Sequence, residues 1–322
     1  MFMFKIVERI LGPLKTCYFL YSEGFYLKET EDELCLYKKE RKEKIPIRKG
    51  ALVSQYRQIR DFAKSFDYIL SNNVEFTKDS ILIKDLNGVA FQIKREKSDL
   101  HTLMALCFYF EDKTGKCLQK PAAEFLGYIR KTDVKKNDIV IDAGAFHGWF
   151  AIYAAKKAEA GHVYCFEPDK QNINMLKENI ELNNLKNITI VEEVLAGKTG
   201  FVNFFETGDV ASRIIESLAN SGPNNTIKRL PSISLADFCS REKIKKVDFL
   251  KMDVEGAECD ILSRSKEFIK NNVEYLAIAS YHPISDKDKG LTSTLLEPML
   301  KDMGFRVETN YPTHQTTYGW KT

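Results

Sequence analysis

The sequence predicts an α/β protein: a mostly parallel sheet with helices on both faces, preceded by an N-terminal α+β extension. Three observations predict it. After about residue 130, short runs rich in Val, Ile, Leu and Phe on both pleat faces alternate with amphipathic stretches, the pattern of a parallel sheet covered on both sides. The first of these runs passes into a glycine-bearing turn, IVIDAGAFHGWF. Before residue 125 the pattern is different, helix-like and then β-rich, so the expected division is 1–125 for the extension and 126–322 for the α/β domain.

In the first seventy or so residues, helical periodicity accompanies the run Lys38-Lys39-Glu40-Arg41-Lys42-Glu43-Lys44, whose mixed signs suit a solvated helix face or linker better than a nucleic-acid patch. From Val74 the runs VEFT, SILIKDL and GVAFQIK, broken by Asn87-Gly88, predict short strands with a hairpin turn. Residues 99–130 read as helical. The main strands are then expected at DIVIDAG, HVYCFEP, ITIVEEV, VDFLKMDV and VEYLAIASY, with helices at WFAIYAAKKA and KQNINMLKENIELNN. FVNFFET and RLPSISLADF read as an inserted β element.

With 322 residues, 44% hydrophobic and 29% charged, the chain can bury a substantial core. A formal net charge of +3 gives no strong steering toward nucleic acid or anionic membranes. The seven cysteines are scattered without a Cys-x-x-Cys pair, which suggests neither a disulfide framework nor a cysteine zinc site and makes a reducing cytoplasm the expected compartment. In MFMFKIVERILGPLKTCYFLY the apolar residues are interrupted by Lys5, Glu8, Arg9 and Lys15, so neither a signal-peptide core nor a spanning helix is expected, and a segment lying on a membrane surface is the alternative to a soluble one.

The glycine turn carries chemistry. Asp142 ends a buried strand, Gly144 permits a tight turn, and Gly148 lets the next helix begin close beneath a ligand. In a dinucleotide fingerprint a second glycine would stand where this chain has Phe146, so a ligand without a closely held phosphate suits the loop better. An ordinary strand-to-helix turn with two glycines satisfies the same spacing. Glu167 follows Gly148 by nineteen residues, at the end of the next strand, where a carboxylate can accept hydrogen bonds from both ribose hydroxyls. Glu193 and Val194, leaving the third strand, offer an adenine-edge acceptor and an apolar wall, and an exposed Glu pair fits equally.

VDFLKMDVEGAECDIL places Asp253, Glu255 and Glu258 at a central strand's exit. Glu258 falls in the first turn of a helix, where the dipole favours a carboxylate. Asp253 points to function, because carboxylates at strand exits opposite a glycine loop face the usual ligand crevice.

Together, DAGAxxG, FEPD followed by Asn and Leu positions, LKMDVEGAE and a Gly-Phe at 304 resemble the FkbM family of methyltransferases over roughly 138–310. LKMDVEGAE is the most specific piece. The resemblance implies a Rossmann-like class I methyltransferase fold with a seven-stranded sheet, S-adenosylmethionine as methyl donor, and O-methylation of a sugar, glycan or other small-molecule hydroxyl. It further implies that Asp142, Ala143, Gly144 and Gly148 form the methionine-side loop, that Glu167 with Pro168 takes the ribose, and that Asp253 and Glu255 position donor, acceptor or both. The chain departs from the family pattern at Phe146 and at Ser280-Tyr281-His282, where an acid is common.

Methyl transfer from a sulfonium is an in-line displacement, so a protein must align the acceptor and remove its proton. His282, ending the predicted fifth strand near Asp253, is a general-base candidate, and a structural histidine fits as well. Asp253 and His282 could alternatively hold a divalent metal. Arg213 and His314 are candidate acceptor contacts that ordinary surface placement would also explain. The leading expectation is a small-molecule or glycan O-methyltransferase with no nucleic-acid partner. A methyltransferase acting on protein or nucleic acid, a silent nucleotide-binding module and a nicotinamide-dependent dehydrogenase are the competitors.

Overall fold

The structure, a computed structural model, describes residues 22, 24–29, 33–39, 44–48, 74–77, 80–86, 88–94, 124–206, 212–215, 226–284, 290–310 and 315–321. The chain divides into two compact units, Met1–Tyr109 with Leu118–Glu124, and Phe110–Cys117 with Phe125–Thr322.

In the first unit, β1 (Phe25–Glu29), β2 (Glu33–Lys38) and β3 (Lys44–Arg48) form an antiparallel meander. These strands replace the helical pattern expected there. Their stabilisation is cross-strand: Tyr26 pairs with Tyr37 and the two rings stack at 5.1 Å, a contact that leaves no local periodicity. Lys38 closes β2 and Lys44 opens β3, so the ends of the charge run belong to strands, and its residues 40–43 lie outside the described residues. β4 (Val74–Phe76), β5 (Ser80–Leu86) and β6 (Val89–Lys94) form a second three-stranded sheet. Leu86 pairs with Val89 across the two-residue turn, and Gly88 has φ 81°, as such hairpin turns require. Ile81, Ile83, Val89, Phe91 and Ile93 are all buried, with the alternation of a sheet that covers one face. Of the helix expected over 99–130, residues 99–123 lie outside the described residues, and a 3-10 turn spans Glu124–Gly127.

The second unit is built on a seven-stranded sheet from β7 (Ile139–Ala143), β8 (His162–Phe166), β9 (Ile188–Val191), β14 (Val247–Met252), β15 (Val273–Ala279), β16 (Arg306–Asn310) and β17 (Thr316–Trp320). Its order is β16-β17-β15-β14-β7-β8-β9, with β17 antiparallel to both neighbours and the other pairings parallel. This is the Rossmann-like sheet the sequence predicts. The order runs one way from β7 to β9 and the other way from β14 to β15, so the switch point lies at the carboxyl ends of β7 and β14.

Helix α1 (Trp149–Ala158) follows β7 and α2 (Lys170–Leu182) follows β8. On one sheet face Phe249 packs against Phe150 of α1 with ring centroids 5.4 Å apart. The other face carries Ile141, Leu250, Met252 and Ile278, packed with α3 (Leu235–Arg241), α4 (Glu258–Arg264), α5 (Lys266–Asn272) and α6 (Ser293–Asp302) through Phe238, Leu262, Ile269 and Leu300. Burial of both pleat faces explains the unbroken apolar runs.

Between β9 and β14, β10 (Val194–Leu195), β11 (Gly200–Glu206), β12 (Arg213–Ile214) and β13 (Thr226–Ile233) form a separate four-stranded sheet of order β10-β13-β11-β12. The β reading of RLPSISLADF holds only to Ile233. Ser234 accepts a hydrogen bond from the Asp237 N–H at 3.1 Å and caps α3, turning LADF into a helix start. Among the described residues, no helix is long and apolar enough to cross a membrane.

Candidate functional site

The exits of β7 and β14 lie back to back. The Asp253 N–H donates to the Ala143 carbonyl at 2.9 Å, and a Cβ on Gly144 would stand 1.8 Å from the Asp253 carbonyl oxygen. With φ 77° as well, position 144 admits only glycine without displacement of a strand end. Gly148, at φ 84°, is constrained from another side, since its Cβ would lie 2.3 Å from Leu176 Cδ1 of α2. The loop N–H groups turn inward: those of Gly144 and Ala145 donate to the Phe166 carbonyl, that of Phe146 to Glu167, and that of Gly148 to the Ala145 carbonyl. Phe146, itself at φ 51°, stacks on His147 at 3.7 Å and meets Trp149 edge-on.

Glu167 follows directly on β8 with 5% of its surface exposed. Its Oε2 accepts from the Phe146 N–H and its Oε1 from the Asp169 N–H, both at 2.9 Å, with Asn172 Nδ2 at 3.4 Å from Oε1. Burial pushes the carboxyl up to about 7 against the lowering effect of those N–H donors. Oε2, with one donor, retains a further acceptor site, and Oε1 holds its second donor only at 3.4 Å, a bond that a ligand hydroxyl can replace. Pro168 is partly exposed beside it.

Asp142 and Ala143 lie fully buried beneath the loop. The Asp142 Oδ1 pairs with Lys251 Nζ at 2.9 Å, and the same ammonium donates to the Gly144 carbonyl at 2.6 Å. Burial raises the Asp142 carboxyl and Lys251 opposes the rise. In this structure Asp142 shapes the loop from below, with Lys251 as its counter-charge, instead of presenting its carboxylate at the surface.

A second cluster forms where β14, α4 and β15 meet. Asp253 Oδ2 accepts from the Tyr128 hydroxyl at 2.8 Å, and Asp253 Oδ1 lies 3.4 Å from His282 Nε2. Glu255, held at φ 54°, brings Oε1 to 3.6 Å from the same nitrogen. Glu258, fully buried, places Oε1 2.8 Å from His282 Nδ1 and accepts from the N–H groups of Val254 and Gly256. Burial alone would lower the His282 pKa, but Glu255, Glu258 and Asp253 together raise it to about 11. Asp253, Glu258 and His282 each offer a ligand atom within 4.8 Å of the others, a spacing that a metal ion could bridge.

The remaining expected residues lie elsewhere. Glu193 pairs with Arg241 of α3 at 2.6 Å, and Val194 is buried in β10. Arg213 sits in β12 with its guanidinium 5.4 Å over the Phe205 ring. His314 lies outside the described residues. Sequence reasoning missed Lys251 and Tyr128. A lysine within the apolar strand VDFLKM was a usable signal, because a charge there requires a partner, whereas nothing local marks Tyr128.

The model of the methyltransferase FkbM domain matches residues 142–307. The chain is similar to 2-O-methyltransferase NoeI of Sinorhizobium fredii, 23% identical over 146 residues, covering 41% of this chain and 59% of that protein. It is similar to the ribosomal protein L11 methyltransferase of a Thermoanaerobacter species, 28% identical over 153 residues, covering 46% of this chain and 48% of that protein. The matches thus span about half of these relatives' own lengths. A solved methyltransferase FkbM from Methylobacillus flagellatus is 18% identical with a TM-score of 0.40, covering 57% of this chain and 44% of that one.

Proposed function

The chain belongs to the FkbM methyltransferase family, and from that premise we propose that it transfers a methyl group from S-adenosylmethionine to a hydroxyl of a sugar, glycan or other small molecule. The observation that carries this reading is the placement of Glu167 and of the Asp253–His282 cluster at the carboxyl ends of β8, β14 and β15, on either side of the switch point. The name of the Sinorhizobium relative, a 2-O-methyltransferase, supports the hydroxyl acceptor.

The residues fit a donor without phosphate. Four loop N–H groups are committed to protein acceptors, which leaves a poor cradle for a pyrophosphate and disfavours a dinucleotide. Glu167 would accept the ribose hydroxyls, and the loop of Gly144 to Gly148 would border the amino-acid end. S-adenosylmethionine, when bound, supplies an electrophilic methyl group. The chain's own work is to align the acceptor oxygen and take its proton, a contribution of about 10²–10⁴ in rate for a positioned base. A carboxylate of this cluster receives the proton: His282 draws Asp253 and Glu255 together, and the Tyr128 hydroxyl steadies Asp253. Glu255 and Arg213 are proposed acceptor contacts. The cytoplasm is the proposed setting, supported by the free thiols of Cys35, Cys165, Cys239 and Cys259.

Calorimetric titration with S-adenosylhomocysteine and with NAD tests the donor. Binding of the first and not the second is expected, with a loss of about 1–3 kcal/mol in Glu167→Ala from the missing charge-assisted bonds. Incubating extract fractions with radiolabelled donor then tests the acceptor. Label in a small neutral molecule supports the reading, label in protein or nucleic acid moves it to a macromolecular acceptor, and NAD binding alone ends it.

A further inference from the structure

We propose that Asp253, Glu258 and His282 bind a divalent first-row transition-metal cation that holds and acidifies the acceptor hydroxyl. The second half rests on the methyl-transfer reading, whereas the cation site stands on its own observations. The three side chains come from the exit of β14, the first turn of α4 and the exit of β15, and their ligand atoms all lie within 4.8 Å of one another.

Burial and hydrogen bonding supply the independent argument. His282 is 4% exposed and Glu258 is 0% exposed. Carboxylate oxygens stand 2.8 Å from His282 Nδ1 and 3.4 and 3.6 Å from Nε2, yet neither ring nitrogen makes an aligned hydrogen bond, and Glu258 Oε2 is also buried without one. Buried polar atoms in native proteins are nearly always satisfied, so such atoms gathered at one point indicate a missing partner. Three carboxylates against one imidazole leave an excess of negative charge even with the ring protonated, which favours a cationic partner.

The ligand set narrows the cation. Two carboxylates and one imidazole suit manganese or zinc better than magnesium, which favours oxygen ligands and retained water. Three protein ligands leave coordination positions open, as catalytic sites do. The cation displaces the proton of His282, which ligates as the neutral imidazole, and with Asp253 also engaged as a ligand Glu255 is the carboxylate left to take the acceptor's proton. The O–H bond breaks, the proton passes to Glu255, and the new O–C bond forms as the donor's C–S bond breaks, leaving a neutral thioether.

The test uses the full chain, stripped with chelator and titrated with Mn²⁺ while free Mn²⁺ is followed by electron paramagnetic resonance. One bound equivalent per chain is expected, weakened about ten-fold or more by His282→Ala and by Asp253→Asn. Co²⁺ substitution of the wild-type chain gives a second readout that does not depend on a variant folding: visible ligand-field bands are expected. Absence of stoichiometric Mn²⁺ binding, an unchanged affinity in both variants, or a Co²⁺ spectrum identical to the aqueous ion overturns the site. S-adenosylhomocysteine titration of the same metal-free protein reports separately on the methyl-donor reading, so failure of one is distinguishable from failure of the other.

Discussion

Lys251→Met should be among the most damaging single changes in the second unit. Lys251 is 5% exposed and Asp142 is 0% exposed, with their charges 2.9 Å apart, so removing the ammonium strands a carboxylate in the sheet interior. Breaking a buried pair from one side costs about 3–5 kcal/mol. The alternative, protonating Asp142, has a similar cost: about three pH units between an ordinary aspartate and neutrality, at about 1.4 kcal/mol each, give about 4 kcal/mol. The Gly144 carbonyl also loses a donor that stood at 2.6 Å. Both tryptophans of the chain, Trp149 and Trp320, lie in the second unit, so urea unfolding followed by their fluorescence reports on that unit. Without Lys251 the folded Asp142 carboxyl stands further above its unfolded value, so stability falls as pH rises from about 4 through the folded pKa, and the variant's deficit should shrink at low pH. Lys251→Met/Asp142→Asn should recover about 2 kcal/mol or more of the loss, as expected when the stranded charge is the cause. A single-variant cost under about 1 kcal/mol, or a double variant no better than the single one, would refute the assignment of the pair as the loop's electrostatic anchor.

Glu167 has its carboxyl pushed from 4.5 up to about 7, so the unfolded chain ionises first and wild-type stability should fall by about 3 kcal/mol between those pH values. Glu167→Gln should remove that slope in urea melts across the same range. If donor hydroxyls bond to the ionised carboxylate, wild-type affinity for S-adenosylhomocysteine should also rise through pH 7, and calorimetry of the Gln variant should show no such rise. Gly144→Ala should destabilise by about 3 kcal/mol or more, through both the overlap with the Asp253 carbonyl and the positive φ, whereas Gly304→Ala should cost only about 1 kcal/mol, because its φ is 88° but nothing lies within 4 Å. Equal thermal shifts for the two would contradict the close approach of β7 and β14. Tyr128→Phe removes the hydrogen bond to Asp253 and should lower kcat about ten-fold while donor Kd changes little, and a change confined to Kd would place Tyr128 in the donor site instead.

What was legible followed from burial and spacing within single elements. VDFLKM and VEYLAIA are apolar on both faces because helices cover both, and their burial in β14 and β15 is nearly complete. Non-local pairing was not legible, as in β1 to β3, where Tyr26 and Tyr37 are eleven positions apart. The site shows the same division. Asp253 and His282 were each visible as polar residues at strand exits, and Glu258 was visible only as a favourable charge at a helix start. That local reading and the observed one are compatible. Glu258 Oε1 does accept the N–H groups of Val254 and Gly256 at the start of α4, and the same oxygen reaches His282 Nδ1. The link between the two roles is topological. β14 and β15 are parallel neighbours joined through α4 and α5, and this crossover returns the chain so that the beginning of α4 and the end of β15 share one edge of the sheet. Residues 24 positions apart therefore meet because of the crossover, and a carboxylate chosen to begin a helix becomes the group that holds the histidine.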